Sequence, residues 1–413
     1  MGEGRRKLTG TYAGVLGAVS ILALMALVPI AWGAFRQMTE ERPEEGGSDD
    51  AGAGGVEWEW TAQEPTLAYA QSVTTSDGVM YALSTAPGAV GVFGNPPKAI
   101  YTSTDGLEWT SVTLDEPWVN GIAARGGLLY AVGTVPGAAD PSEFATQVGM
   151  SEDGGETWTY LEIQDPPEAS QVGYRAYAIG ASESGISVIL GGEGAPIAWH
   201  SADGATFETV ESGFPNGTFL DRVYTVGDEL VTIVYGPRTS LWGSSGGGAW
   251  EQLDLPLSGW PVAIGTVDGT VVLVEDVQPG PVLWRAEDLH GEWSQTVVDT
   301  TLGDGFEAWM SGAAVGDGGV AIAVSAQATV APVPGLFGNG REGPIGAGGA
   351  SARVLVSRDL ETWSMLDVGE FVSGDETWVE QILATENGFG VTVSSFSGFG
   401  NERVFLVGSP HST

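Results

Sequence analysis

Residues 151–158, SEDGGETW, hold three acids, two glycines and a tryptophan in eight positions. Carboxylates so spaced on a glycine loop could ligate a hard cation. They could also divide acid and base work in hydrolysis. A short Asp beside glycine has a third use, folding a turn by accepting backbone N–H groups. Recurrence favours the turn. The plan returns in YTSTDGLEWTSVTL (101–114), WHSADGATFETVES (199–212), WGSSGGGAWEQLDL (242–255), WRAEDLHGEWSQTVV (284–298) and VSRDLETWSMLDV (356–368). A catalytic centre is needed once, whereas a structural unit recurs.

Other residues are better placed for chemistry. An aromatic precedes each of seven upstream segments: Tyr69, Trp118, Tyr174, Phe219, Trp260, Trp309 and Trp378. They either wedge between packed units or form a stacking platform for a ligand. Acids cluster just before them, among them Asp304, Glu307, Asp375 and Glu376, and a pair facing across the funnel could supply the acid and base of glycoside cleavage. Arg175 and Arg222 are the cations nearest this set. The three histidines, His200, His290 and His411, are scattered, so no metal site and no His-based triad is expected. No cofactor is expected.

The elements that would carry these residues are hairpins. Each quoted stretch reads as strand, Gly/Asp turn, then an aromatic opening a second strand. Upstream halves such as WPVAIGTVDGTVVLVEDV (260–277) read as another hairpin. The turn aromatics Trp109, Trp158, Phe207, Trp250, Trp293 and Trp363 are 49, 49, 43, 43 and 70 residues apart, the last interval holding a Gly/Pro-rich insertion near 327–350. Two orphans complete the series. VEWEWTAQ (56–63) matches only the last strand of a unit, and RVFLVGSP (403–410) looks like a third strand with nothing after it. Pairing them closes a ring, which leaves no wide sheet edge. The expected fold is all-β: a seven-bladed propeller, residues 56–413, of four-stranded A–B–C–D blades closed by the N-terminal strand. The CD turns then lie on one face. The seven aromatics lie on the other, around the central funnel.

Composition agrees, with 42% hydrophobic residues, 64 glycines and 22 prolines. The net charge of −38 leaves no basic patch for nucleic acid. Absence of cysteine excludes disulfides and thiolate chemistry. At the N-terminus, Arg5, Arg6 and Lys7 precede a run without charge from Leu8 to Phe35. About 23 such residues as a helix span roughly 35 Å, enough for a bilayer core. The expectation is a cytoplasmic N-terminus (1–11), a transmembrane signal-anchor helix (12–35), an acidic Gly-rich linker (36–55) and an extracytoplasmic, monomeric propeller. A cleaved signal peptide is the alternative.

The turns resemble the Asp-box, or bacterial neuraminidase repeat, of sialidase-type propellers, whose pattern is Ser-x-Asp-x-Gly-x-Thr-Trp. Ser151, Asp153, Gly155, Thr157 and Trp158 match every defined place. Ser357, Asp359 and Trp363, and Ser103, Asp105 and Trp109, match one residue shorter; Ser201 and Asp203 form a weaker copy. The resemblance implies the propeller fold and a structural role for these turns. It also implies a test for sialidase activity, which uses three arginines and a Tyr–Glu nucleophile. LAYAQSVTTSDGVMYALSTA in the first blade has no arginine. The leading expectation is therefore binding of a glycan or an extracellular protein at the funnel, with a sialidase-like hydrolase as the alternative.

Overall fold

The computed structural model describes residues 57–63, 70–86, 97–106, 108–114, 119–136, 144–163, 175–192, 194–278, 280–300, 306–328, 351–372, 376–385, 388–397 and 400–410. Among them are seven four-stranded antiparallel sheets. Blades 1 to 6 span 70–113, 119–163, 175–210, 219–252, 260–297 and 306–367. Blade 7 takes three strands from 376–410 and its fourth from Trp58–Gln63. That fourth strand pairs antiparallel with Gly400–Pro410, Trp58 opposite Pro410 and Gln63 opposite Phe405. The expected closure is present, and the ring is complete within 58–410.

The repeat explains why no single core exists. One blade is too thin to bury both faces, so its apolar residues meet those of the next blade. Seven hydrophobic clusters result, one at each interface. Every turn aromatic reaches back into the cluster shared with the preceding blade. Trp158 packs with Tyr81, Leu83 and Ile100 of blade 1. Trp363 packs with Val272, Val274 and Leu283 of blade 5. Trp58 packs with Val354 and Val356 of blade 6.

The first strands lie side by side around the centre. All seven carry an irregularity near their funnel end. One residue is left unpaired in blades 1, 2, 3, 5, 6 and 7 (Gln71, Asn120, Tyr177, Val262, Ser311 and Glu380), and two in blade 4, Asp221 and Arg222. A bulge re-aims side chains and sharpens twist. Residues at or beside several of these positions bridge neighbouring blades. Asn120 Nδ2 donates to Ala176 O at 3.3 Å. Ser72 Oγ donates to Ile122 O at 3.1 Å. Across the closing seam, the Gln381 side-chain amide accepts from Ala70 N at 2.8 Å and donates to Ala70 O. Polar side chains thus replace the ladder that adjacent blades cannot form.

No helix of the described residues is long and apolar enough to cross a membrane. The expected spanning segment 12–35 and its flanks 1–11 and 36–55 lie outside the described residues.

Candidate functional site

The CD turns use up their own chemistry. In blade 2, Ser151 Oγ donates to Asp153 Oδ1 at 2.8 Å and accepts from Gly155 N at 2.8 Å. Asp153 accepts from Thr157 N at 2.8 Å and Thr157 Oγ1 at 2.6 Å. Trp158 Nε1 donates to Gly155 O at 3.0 Å. Gly155 sits at φ +102, and a Cβ there would stand 3.3 Å from Ile100 of blade 1, so the tip is sealed onto its neighbour. Hydrogen bonds, that of the Thr157 side chain foremost, hold the Asp153 carboxyl down at about 2. At Asp359, burial works upward, but bonds from Thr362 and the Glu361 N–H outweigh it and hold the carboxyl at about 2. Asp203 is lowered chiefly by the Thr206 and Ala205 N–H groups, and Asp105 accepts from Glu108 N at 3.0 Å. None of these carboxylates is poised as a base or a ligand.

The funnel rim is different. Three of the expected aromatics open blades 4, 5 and 6 and are exposed: Phe219 67%, Trp260 57% and Trp309 41%. Trp378 in blade 7 is half-buried. Phe219 lies opposite Tyr235 across the first hairpin of blade 4. Tyr235 then stacks on Trp260 of blade 5, centroids 5.9 Å apart and planes at 25°. Phe219, Tyr235 and Trp260 therefore form one tract across the blade 4–5 seam. Trp260 leans on the preceding blade through Tyr235 and keeps most of its surface in solvent.

The tract is held from below. Glu275, fully buried, accepts from Ser258 N at 2.5 Å, from Gly259 N, and from Trp284 Nε1 at 2.7 Å. These bonds fix the loop immediately before Trp260. A buried carboxylate with three donors is a positioning group. Beside it, Asp276 pairs across the hairpin with Trp260 and shares a narrow cleft with Pro281, Thr300 and Trp309. Burial raises the Asp276 carboxyl.

The bulge of blade 4 supplies the polar floor. Tyr224 OH donates to Asp221 Oδ2 at 2.9 Å and lies 3.3 Å from Val262 O of blade 5. Arg222 lies 3.9 Å from Asp221 and 6.0 Å from the Tyr224 ring centroid. Burial pushes the Tyr224 phenol well up, with Arg222 opposing and Asp221 adding. Tyr235 is pushed to about 12, again chiefly by burial. A phenol held neutral and already bonded is a poor nucleophile. It is a good rigid wall.

Blade 7 adds a second polar group. Glu380 Oε1 accepts from Arg403 Nη2 at 2.8 Å and Ser394 Oγ at 2.5 Å. Glu376 is exposed at the start of this blade. Tyr69, Trp118, Tyr174, Asp304 and Asp375 lie outside the described residues, as do the side chains of Arg175 and Glu307. Glu275, Asp276 and Glu380 went unrecognised in the sequence. One signal was available for the bulges: the residue two after the opening aromatic is polar in Gln71, Asn120, Asp221, Ser311 and Glu380.

Groups of three or more potential metal-ligating side chains are absent among the described residues. His200 is structural: its Nδ1 lies 3.2 Å from Ser187 Oγ, and burial lowers its pKa.

No family model matches the chain, and no curated protein matches it in sequence. Solved structures with a similar fold include YCF48 from Cyanidioschyzon merolae, 14% identical, covering 84% of this chain and 98% of that one, TM-score 0.47. The propeller domain of the trilobed protease from Pyrococcus furiosus is 10% identical over 84% of this chain and 95% of its own, TM-score 0.44. Trypanosoma rangeli sialidase with the inhibitor DANA is 15% identical over 62% of this chain and 52% of its own, TM-score 0.41.

Proposed function

We propose that this chain is a membrane-anchored, extracytoplasmic propeller of the Asp-box type that binds a glycan through the funnel rim of blades 4 to 6. The observation that carries this reading is the exposed aromatic tract of Phe219, Tyr235 and Trp260, with Trp309 beyond it. Open ring faces stack on the apolar faces of sugar rings, and nearby carboxylates accept from their hydroxyls. Asp276 stands in that place, and Glu275 keeps the loop rigid. The net charge of −38 favours a neutral or cationic glycan over a sialylated one. The uncharged run behind Arg5–Lys7 supports the anchor, and the unit acts as a monomer.

The test is a glycan array probed with residues 56–413, the segment that contains the whole closed ring. Binding to a defined set of neutral or amino sugars, lost in Trp260→Ala and Trp309→Ala, supports the reading. An array without signal, and binding of a protein instead, overturns it in favour of a protein ligand.

One observation favours a hydrolase. The raised carboxyl of Asp276 is the kind of group that donates a proton to a leaving oxygen. Turnover of fluorogenic neutral glycosides, abolished in Asp276→Asn, would make the rim an active site.

A further inference from the structure

The CD turns of blades 4 and 5 depart from the other four. Blade 4 runs Ser244-Ser245-Gly246-Gly247-Gly248, with no acid to fold the turn. Ser244 Oγ closes it by donating to Gly248 O at 2.9 Å. The fourth strand is cut to Glu251–Gln252. In blade 5, Asp288 accepts from His290 N at 2.9 Å. His290 then faces Glu229 of blade 4, Nε2 to Oε2 at 3.2 Å. The seam is left open as a cleft of about 480 Å³.

The lining combines two kinds of surface. Leu253 and the half-buried Trp293 form an apolar wall, and Glu229, Glu251 and Asp254 bring carboxylates to it. In blades 1, 2, 3 and 6 the turn Asp accepts from backbone N–H and hydroxyl groups of its own turn. Here none of the three accepts a backbone N–H among the described residues, and Glu229 has only His290. A cavity with an indole wall and carboxylates not engaged by a turn backbone matches a cation on an apolar stem: the ring attracts the charge, the carboxylates neutralise it, and Leu253 covers the methylenes.

We propose that this cleft, on the face opposite the glycan-binding rim, binds an alkylammonium or guanidinium group. The source is either a free polyamine or a basic side chain of a peptide. The rim and the cleft are separate sites on one ring.

The experiment titrates the full chain by calorimetry with spermidine and, separately, with an acetylated Arg-Arg-Leu amide. At physiological ionic strength the general field is screened beyond about 8 Å. The expected result is saturable one-to-one binding of at least one probe. Glu251→Gln/Asp254→Asn, which removes two exposed charges, should weaken it at least fivefold. Glu108→Gln/Glu152→Gln, which removes the same charge from the same face in blades 1 and 2, should leave it unchanged. Saturation by spermidine alone identifies a free polyamine, and saturation by the peptide alone a protein source. Equal weakening in both double variants, or no saturable binding of either probe, overturns the site. Trp260→Ala should bind the probe like the wild type, so this result is independent of the glycan reading.

Discussion

The two faces of the ring use the same residue types in opposite ways. On the CD face, Trp158 is wedged between blades with its indole N–H bonded, and Asp153 is saturated by its own turn. On the funnel face, Trp260 keeps 57% of its surface in water, and Asp276 is raised by burial without a turn to fold. The difference lies in what each side chain has already bonded to, which residue type alone does not reveal. Chemistry is available where the fold has left it over.

The largest effect expected from this contrast is structural. Trp158→Ala should lower unfolding free energy by roughly 3 kcal/mol in urea denaturation, through the cavity it leaves against Tyr81 and Ile100. Next comes Glu275→Gln, which puts an NH2 where an N–H donor now points. A loss of about 2 kcal/mol is expected, with weaker ligand binding, because the loop before Trp260 loosens. A variant that loses stability and keeps full binding would show that Glu275 does not position the rim.

Acid provides a subtler test. Asp153 and Asp359 are held at about 2, below the ordinary carboxylate value. The unfolded chain therefore binds protons first, and the stabilisation from these groups is present above about pH 4 and lost as pH falls toward 2. Melting temperature followed down this range should fall less steeply in Asp359→Asn than in the wild type. Equal slopes would mean that the turn bonds do not persist in solution. The smallest effect belongs to Trp260→Ala, whose stability should stay within about 0.5 kcal/mol of the wild type.

The ring was legible because it is written seven times. Trp58 in an orphan fourth strand, and Arg403–Pro410 in an orphan third, define the closure without any long-range information. The direction of the faces followed from the CD turns. The rim was legible only as a row of aromatics. Tyr235 joins it through the blade 4–5 seam, where it stacks on a residue 25 positions away, and no local pattern encodes that contact. Glu275 reads as one alternating position of a strand; its burial depends on a loop folding back over it. The cleft of blades 4 and 5 left a negative trace, the missing Asp in SSGGG, which registers as degeneracy until the neighbouring blade is in place.

The CD face holds the ring together, and the funnel rim is the proposed ligand face. The most direct measurement takes Trp158→Ala and the double variant Trp260→Ala/Trp309→Ala through both thermal unfolding and glycan binding. A large fall in melting temperature is expected for the first, with glycan binding retained below its transition. For the second, an unchanged melting temperature with binding lost is expected. A double variant that binds normally, or that melts as early as Trp158→Ala, would contradict this division between the faces.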